Sequence, residues 1–325
     1  MLKKLLKSAL AILRESIEMC VVLFRVMIPI IIVVKILEEL GAIKYLARFL
    51  EPVMELAGLP GSMGIVWATT LTTNLYGGLI VFFALAPDNP LTVAQVTVLA
   101  SMMLVAHSML VEVKIAHKAG SRFIAMFMIR FGGALIFGMI LNFVYKFSGT
   151  LQNKNILVWT PETKNPTLME WGFGQVLNLL TIWIVIVILL AVMDTLKKFK
   201  LTDVIARLLR PILAPVGIGH EAVNITTIGM ILGLTCGAGL IIKEARAGHI
   251  GKRDLFFSMA LMGLCHSIIE DTLLMAAIGA HFSGIFLGRI LFSLFFVFIL
   301  ERVTMLLPES FLDKYLFNPH ASGKK

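Results

Sequence analysis

The sequence predicts an all-α polytopic membrane protein made of two inverted-topology repeats. Each repeat is expected to contain three transmembrane helices, an interfacial amphipathic helix and a re-entrant helical hairpin. Three observations lead to this prediction: an apolar composition, a series of bilayer-length apolar segments, and a residue pattern that recurs at one constant spacing. Of the 325 residues, 58% are hydrophobic and 15% are charged, whereas a soluble domain has about 25% charged residues. The composition excludes a disordered chain, a coiled coil, a disulfide-stapled secreted domain and almost any soluble enzyme.

The net charge of +9 does not indicate a nucleic-acid partner. The basic residues lie in short segments between apolar runs, where they serve as topology signals and contact anionic lipid headgroups. The sequence therefore predicts an integral plasma (inner) membrane protein with both termini in the cytoplasm.

The apolar segments give the order of the elements. A bilayer core of about 30 Å needs about 20 mostly apolar residues per helix. The candidates are 17–37, 61–86, 92–115, 122–146, 174–195, 220–246, 254–279 and 282–306. Residues 38–58 have helical apolar spacing but six charges, and 196–215 have the same character, so both segments are expected at the interface.

The domain boundaries follow from these elements. Residues 1–16 form an amphipathic N-terminal helix on the membrane surface, and 17–146 form the first repeat. Residues 147–173 are a polar linker, 174–306 form the second repeat, and 307–325 form a cytoplasmic tail.

A repeat is visible in the residues themselves. Ala47-Arg48-x-Leu50-x-Pro52 reappears as Ala206-Arg207-x-Leu209-x-Pro211, and we call the interval between these two stretches the repeat spacing. The same spacing, without gaps, gives about 21 identities between 33–141 and 192–300. The polar matches are His107-Ser108 with His266-Ser267, and Arg130 with Arg289. Shared composition does not produce His, Arg and Pro at one constant spacing, so a duplication is predicted.

Basic residues predict that the two copies point in opposite directions. Loop 87–91 has no basic residue and 114–122 has three, whereas their counterparts reverse this: 243–253 has four and 279–283 has no Lys or Arg. Because cytoplasmic loops are enriched in Lys and Arg, equivalent loops are expected on opposite sides. The alternative that stays open is eight simple spans in a parallel repeat.

Inversion requires an odd number of crossings in each copy, so one of the four segments must enter and return on the same side. Segment 61–86 and its counterpart 220–246 are the candidate re-entrant hairpins. We expect the first to break at Asn74, Gly77 and Gly78, and the second within 235–239. Non-helical backbone at membrane depth is tolerated where it lines a cavity, so the breaks are candidate binding elements.

Polar residues near the bilayer midplane are the candidate site, because ionisable groups in a membrane are costly and face an interior or a cavity. Ser108 and Glu112 share one helix face, as do Ser267 and Asp271. The predicted substrate-binding residues are Asn74, His107, Ser108, Asn224, Thr235, His266 and Ser267. The predicted ion- or proton-coupling residues are Glu112, Glu270 and Asp271, and the candidate metal ligands are His266, Glu270, Asp271 and Cys236. The two faces are interpreted as related but not equivalent sites. The alternative is that these residues only join neighbouring helices by hydrogen bonds.

Arg130 and Arg289 are predicted to be structural charges. Each either snorkels to the near interface or pairs with a carboxylate, Glu112 and Asp271 respectively. No phosphate-binding loop, HExxH zinc pattern, nucleophile elbow or dinucleotide fingerprint is present. We therefore expect no enzymatic activity and no cofactor.

At these residues the chain resembles the nucleoside recognition, or Gate, family. Thr73-Asn74 is similar to a Thr-Asn element of spore maturation protein A. His266-Ser267 followed by Glu270 is similar to a His-Ser-Thr-Glu stretch of spore maturation protein B, and the resemblance covers both halves as if the two proteins were fused. It implies a permease for a small polar solute, nucleoside-like in character, that works by alternating access around a midplane site.

Two other functions stay open: a divalent metal ion permease and a non-transporting scaffold that binds a partner protein. The expected partners are the small polar solute, the lipid bilayer, and a coupling ion or proton. A homo-oligomer is an open alternative, and nucleic acid is not expected.

Overall fold

The structure is a computed structural model that describes residues 2–156, 167–198 and 201–318. The described residues form helices, turns and loops, joined at two places by isolated β-bridges. Five helical stretches are long and apolar enough to cross a membrane: Leu10–Glu39, Val93–Ala119, Phe123–Ser148, Leu168–Val192 and Ser283–Met305. For the described residues, the prediction of an all-helical protein with apolar helices suited to membrane spans is confirmed.

Fifteen α-helices follow one another in the described ranges. They are α1 (Leu2–Glu39), α2 (Ala42–Leu56), α3 (Ser62–Thr72), α4 (Leu75–Leu85), α5 (Val93–Val105), α6 (Met109–Ala119), α7 (Phe123–Ser148), α8 (Leu168–Lys198), α9 (Leu201–Leu213), α10 (His220–Leu232), α11 (Leu234–Ala247), α12 (Lys252–Leu264), α13 (Glu270–Ala276), α14 (Arg289–Met305) and α15 (Glu309–Tyr315). A 3-10 turn, Ala214–Val216, follows α9, and a π-helical turn, Ser283–Gly288, leads into α14.

The predicted N-terminal helix, 1–16, and the first predicted span, 17–37, form one continuous helix, because α1 runs without interruption from Leu2 to Glu39. The interfacial candidates 38–58 and 196–215 contain α2 and α9, which both have a strongly amphipathic face. In the polar linker, residues 157–166 lie outside the described part, as do residues 319–325 of the tail.

The segments 61–86 and 220–246 each form a helical hairpin. Helices α3 and α4 pack side by side, as do α10 and α11. The two ends of the first hairpin meet where the Ser62 hydroxyl donates to Asn89 Oδ1 at 2.8 Å. The first tip is at Thr73–Asn74, which agrees with the predicted break at Asn74, although Gly77 and Gly78 lie inside α4. The second tip is at Gly233, just before the predicted range 235–239.

The segments 92–115 and 254–279 are not continuous helices, which corrects the prediction of uninterrupted spans. The first breaks between α5 and α6 at residues 106–108, and the second breaks between α12 and α13 at residues 265–269. Ser108 and Ser267 both have left-handed backbone, with φ of 47° and 45°. That conformation is uncommon for a residue with a Cβ, and its presence at two positions related by the repeat spacing shows that the same break recurs in both halves.

The helix starts fall into two groups by the contacts that they make. The start of α5 lies beside the residues that precede α14, because the His281 amide donates to Thr97 Oγ1 at 2.9 Å. The starts of α7 and α12 share the C-terminal segment 309–318: the Arg122 amide donates to Leu316 O at 2.8 Å, and Lys252 pairs with Asp313 at 2.7 Å. By the repeat spacing α12 is the counterpart of α5, so these two counterparts begin at different groups of helix starts.

Candidate functional site

Two helix breaks bring the predicted His-Ser pairs to the centre of the molecule. The Ser108 amide donates to Thr70 O of the first hairpin at 3.1 Å, and the Ile268 amide donates to Met230 O of the second at 3.0 Å. Each break is therefore fastened to the hairpin of its own half. Glu112 and Asp271, which follow the two breaks, both lie near His107. Helix α11 of the second half also packs against α6 of the first.

The two histidines contact each other. His107 Nε2 and His266 Nε2 are 3.0 Å apart, their ring centroids are 4.8 Å apart, and both residues are buried. The sequence interpretation placed them in two related sites, and the structure brings them into one. We call His107, His266, Glu112 and Asp271 the paired-histidine cluster.

The backbone fixes the orientation of each histidine ring through a contact at Nδ1. His107 Nδ1 lies 3.2 Å from Met103 O, and His266 Nδ1 lies 2.8 Å from Met262 O. A carbonyl oxygen only accepts hydrogen bonds, so each Nδ1 carries a proton, and in the neutral form of a ring its Nε2 presents a lone pair to the other ring.

Two carboxylates complete the cluster. Glu112 Oε1 lies 3.2 Å from His266 Nε2 and 3.4 Å from His107 Nε2. Asp271 Oδ2 lies 3.8 Å from His107 Nε2. Lone pairs of nitrogen and oxygen therefore converge from both halves of the chain, which is the arrangement that binds a cation or a polar solute with N–H and O–H groups.

The two predicted structural arginines are buried beside the cluster, at 2% and 1% exposure, instead of reaching an interface. Arg130 donates to Val105 O at 3.1 Å and to His107 O at 2.9 Å. Arg289 repeats this pattern in the second half, donating to Leu264 O at 3.3 Å and to His266 O. Arg130 Nη1 also lies 2.7 Å from Glu112 Oε2, in an ion-pair contact whose angle lies outside hydrogen-bond geometry.

The other predicted residues take different positions. The Asn74 side chain accepts from the Gly77 amide at 2.9 Å and caps the start of α4. Glu270 is half-buried next to Asp271 at the start of α13. Asn224 lies on an exposed part of α10, well before the break at Gly233. Thr235 and Cys236 lie in the first turn of α11, and their side chains fall outside the described part.

The sequence interpretation did not identify the backbone groups of the site. The carbonyls of Met103, Met262, Val105 and Leu264 orient the rings and hold the arginines. Every residue has a backbone carbonyl, so residue types do not reveal which carbonyls take part. The sequence predicts only that a carbonyl one helical turn before each histidine lies close to its ring. No feature of the sequence of either copy predicts that the two histidines contact each other.

Comparison with known proteins agrees with this architecture. The profile of the Gate family, described as nucleoside recognition, matches residues 20–122 and 179–282, two regions whose starts are separated by the repeat spacing. The chain is 25% identical over 258 residues to a protein of Bacillus subtilis (strain 168) named "Uncharacterized membrane protein YvoD", covering 78% of this chain and 81% of that protein. No solved structure matches the chain. Because the family profile covers more than half of the sequence, in two copies, the chain is a membrane protein that belongs to the Gate family.

Proposed function

We propose that this protein is a permease that moves a small polar solute by alternating access around the paired-histidine cluster. The observation that carries the proposal is that both halves of the chain supply the cluster, at the points where their helices break. Discontinuous helices at the contact between repeats form the midplane sites of many secondary transporters. The buried polar side chains at these breaks suit the binding of a polar solute in an apolar surrounding.

We infer that the two halves are inverted-topology repeats. Support comes from the grouping of helix starts, because α5 and its counterpart α12 begin beside different partners. The loops at one group, 87–91 and 279–283, have no Lys or Arg, whereas 114–122 and 243–253 at the other are basic. This division favours a cytoplasmic position for the second group and for both termini, in an inner membrane.

On this proposal the hairpins α3–α4 and α10–α11 are re-entrant, and six further segments span the bilayer. Each hairpin arm has 11 to 14 residues. A helix of that length extends about 16–21 Å, which is too short to cross a core of about 30 Å.

Side-selective labelling tests the inversion. Single cysteines are placed at Asp88 and Gly248 in a chain with Cys20, Cys236 and Cys265 replaced by Ala, and labelled with a membrane-impermeant maleimide in intact cells and in inverted vesicles. We expect Asp88→Cys to react only from outside and Gly248→Cys only from the cytoplasmic side. Reaction of both from the same side would contradict the inverted arrangement.

The solute is proposed to be nucleoside-like because the matched family is described by nucleoside recognition. Uptake of tritiated uridine and adenosine into proteoliposomes tests this. We expect accumulation above protein-free vesicles, and His107→Ala or His266→Ala should lower the rate by about tenfold or more, since each removes a polar contact that the buried site cannot replace. His249→Ala is the matched control, because His249 is half exposed and pairs with Glu244 away from the cluster.

Two results would contradict the proposal. Uptake equal to that of protein-free vesicles for both nucleosides argues against nucleoside transport. Uptake that is unchanged in the His107→Ala/His266→Ala double variant argues that the solute path avoids the cluster.

A further inference from the structure

We propose that the paired-histidine cluster is a binding site for one divalent transition-metal ion, held by His107 Nε2, His266 Nε2, Glu112 Oε1 and Asp271 Oδ2. The ligand atoms of His107, His266 and Asp271 all lie within 4.8 Å of one another. Glu112 Oε1 lies within 3.4 Å of both histidine nitrogens. This deepens the proposed function, on which it rests, by naming an ion for the same site.

The hydrogen atoms of the histidines make this cluster different from an ordinary polar contact. Each Nδ1 lies at a backbone carbonyl, so in two neutral rings the two Nε2 atoms and the facing carboxylate oxygen of Glu112 are all acceptors. Three acceptors at 3.0 to 3.4 Å repel one another when no positive charge lies between them. A cation at the centre converts this repulsion into coordination.

The spacing of the acceptors fits a metal of the first transition series. An ion with bonds of about 2.0–2.1 Å to nitrogen in tetrahedral geometry has neighbouring ligand atoms about 3.3 Å apart. Four separations in the structure are 3.0, 3.2, 3.4 and 3.8 Å, which lie around that value. The ligand atoms of His107, His266 and Asp271 all lie within 4.8 Å of one another, so closure around an ion needs a small movement of Asp271. Two imidazoles with two carboxylates favour zinc, cobalt, nickel or ferrous ions over calcium and magnesium, which prefer oxygen.

The outer contacts of these ligands are also those of a metal site. Metal-binding histidines generally donate their second ring N–H to a carbonyl or a carboxylate, which fixes the ring and its tautomer. Here the carbonyls of Met103 and Met262 take that role. Arg130 Nη1 lies at the second oxygen of Glu112, so that Oε1 is the oxygen turned to the histidines.

The charge of the surroundings sets the expected affinity. When both are ionised, Glu112 and Asp271 carry two negative charges, and the buried Arg130 and Arg289 carry two positive charges. These charges cancel, so the cluster binds the ion through its ligand atoms and gains no attraction from net charge. We therefore expect a metal ion that exchanges with the solution, and not a permanently bound structural metal. Because two ligands come from each half, the bound ion joins the two halves.

Cobalt binding to the full-length protein in detergent tests the inference without any transport step. The expected result is one Co²⁺ per chain by equilibrium dialysis with elemental analysis, together with the strong visible absorption of tetrahedral cobalt. His107→Ala, His266→Ala and Asp271→Asn should each weaken binding by about 100-fold or more, and Arg130→Met by about 10- to 100-fold as an outer contact. His249→Ala is the matched control and should keep the full stoichiometry, because His249 is half exposed and pairs with Glu244.

The outcomes separate this inference from the proposed function. Absence of Co²⁺ binding to the folded wild-type protein, or equal binding by the wild type and Asp271→Asn, would overturn the metal site whatever the uptake assay gives. Asp271→Asn decides the question if the histidine variants fail to fold, since Asp271 Oδ2 has no hydrogen-bond partner among the described residues whose loss would disturb the structure. Cobalt binding with the expected losses would stand even if no nucleoside is transported.

Discussion

The two halves of the cluster share one pattern of arginine-to-carbonyl hydrogen bonds, but their carboxylates have different partners. Arg130 and Arg289 donate to carbonyls 25 and 23 residues before them in both halves. In the first half, Arg130 also pairs with Glu112 at 2.7 Å. In the second half, no carboxylate of the described residues forms an ion pair with Arg289, and Asp271 is turned towards His107 instead. The same pattern of arginine-to-carbonyl hydrogen bonds thus occurs with two different placements of the carboxylate.

The two hairpins also differ, because their second arms pack against different helices. The second arm of the first hairpin, α4, packs against α1, whereas the second arm of the other, α11, packs against α6. Alternating access in an inverted-repeat transporter requires that the two halves have different conformations and can exchange them. The difference between the halves is therefore what the proposed permease needs.

The largest expected effect comes from the ion pair that the first half makes at Arg130. Arg130→Met removes two carbonyl bonds and leaves Glu112 as a buried charge without its ion-pair partner, so it should lower the free energy of unfolding by about 3–5 kcal/mol. Arg289→Met removes only the carbonyl bonds and should cost about 1–3 kcal/mol. Denaturant unfolding in detergent micelles, followed by tryptophan fluorescence, measures both.

The double variant Glu112→Gln/Arg130→Met is the control for this prediction. Removing both charges should recover part of the stability that Arg130→Met loses, because the uncompensated carboxylate is gone. Equal losses of unfolding free energy for Arg130→Met and Arg289→Met would contradict the prediction, because the ion pair between Arg130 and Glu112 would then add no stability.

The recurring residues of the site were predictable from the sequence, but their meeting was not. The repeat spacing identified His107, His266, Arg130 and Arg289, because polar residues within apolar segments are few. Periodicity places a residue on a face of its own helix and carries no information about the facing half. The contact between His107 and His266 depends on tertiary packing and could be found only in the structure.

The hairpin tips show the opposite case, where a local signal is present in the sequence. The pattern predicts the first break at Asn74, Gly77 and Gly78, and the structure places it at Thr73–Asn74 with both glycines inside α4. Asn74 was assigned to solute binding, although Asn is among the residues that best cap a helix start. In the second half Gly233 occupies the position of Asn74, and it ends α10 with a backbone conformation instead of a side chain.

The smaller expected effect compares these two tips. Gly233 has φ of 91° and ψ of 158°, which only glycine adopts readily, and an added Cβ would lie 2.5 Å from Ser267 Oγ. Gly233→Ala should therefore cost about 1–3 kcal/mol of stability. Asn74→Ala loses a single capping bond and should cost about 1 kcal/mol, whereas Asn74→Ser keeps a capping oxygen and should be nearly neutral. The same unfolding measurement distinguishes the three variants. If Asn74→Ser is as damaging as Asn74→Ala, then the side chain does more than cap α4, because a serine hydroxyl replaces the cap but not the amide nitrogen that a solute would contact.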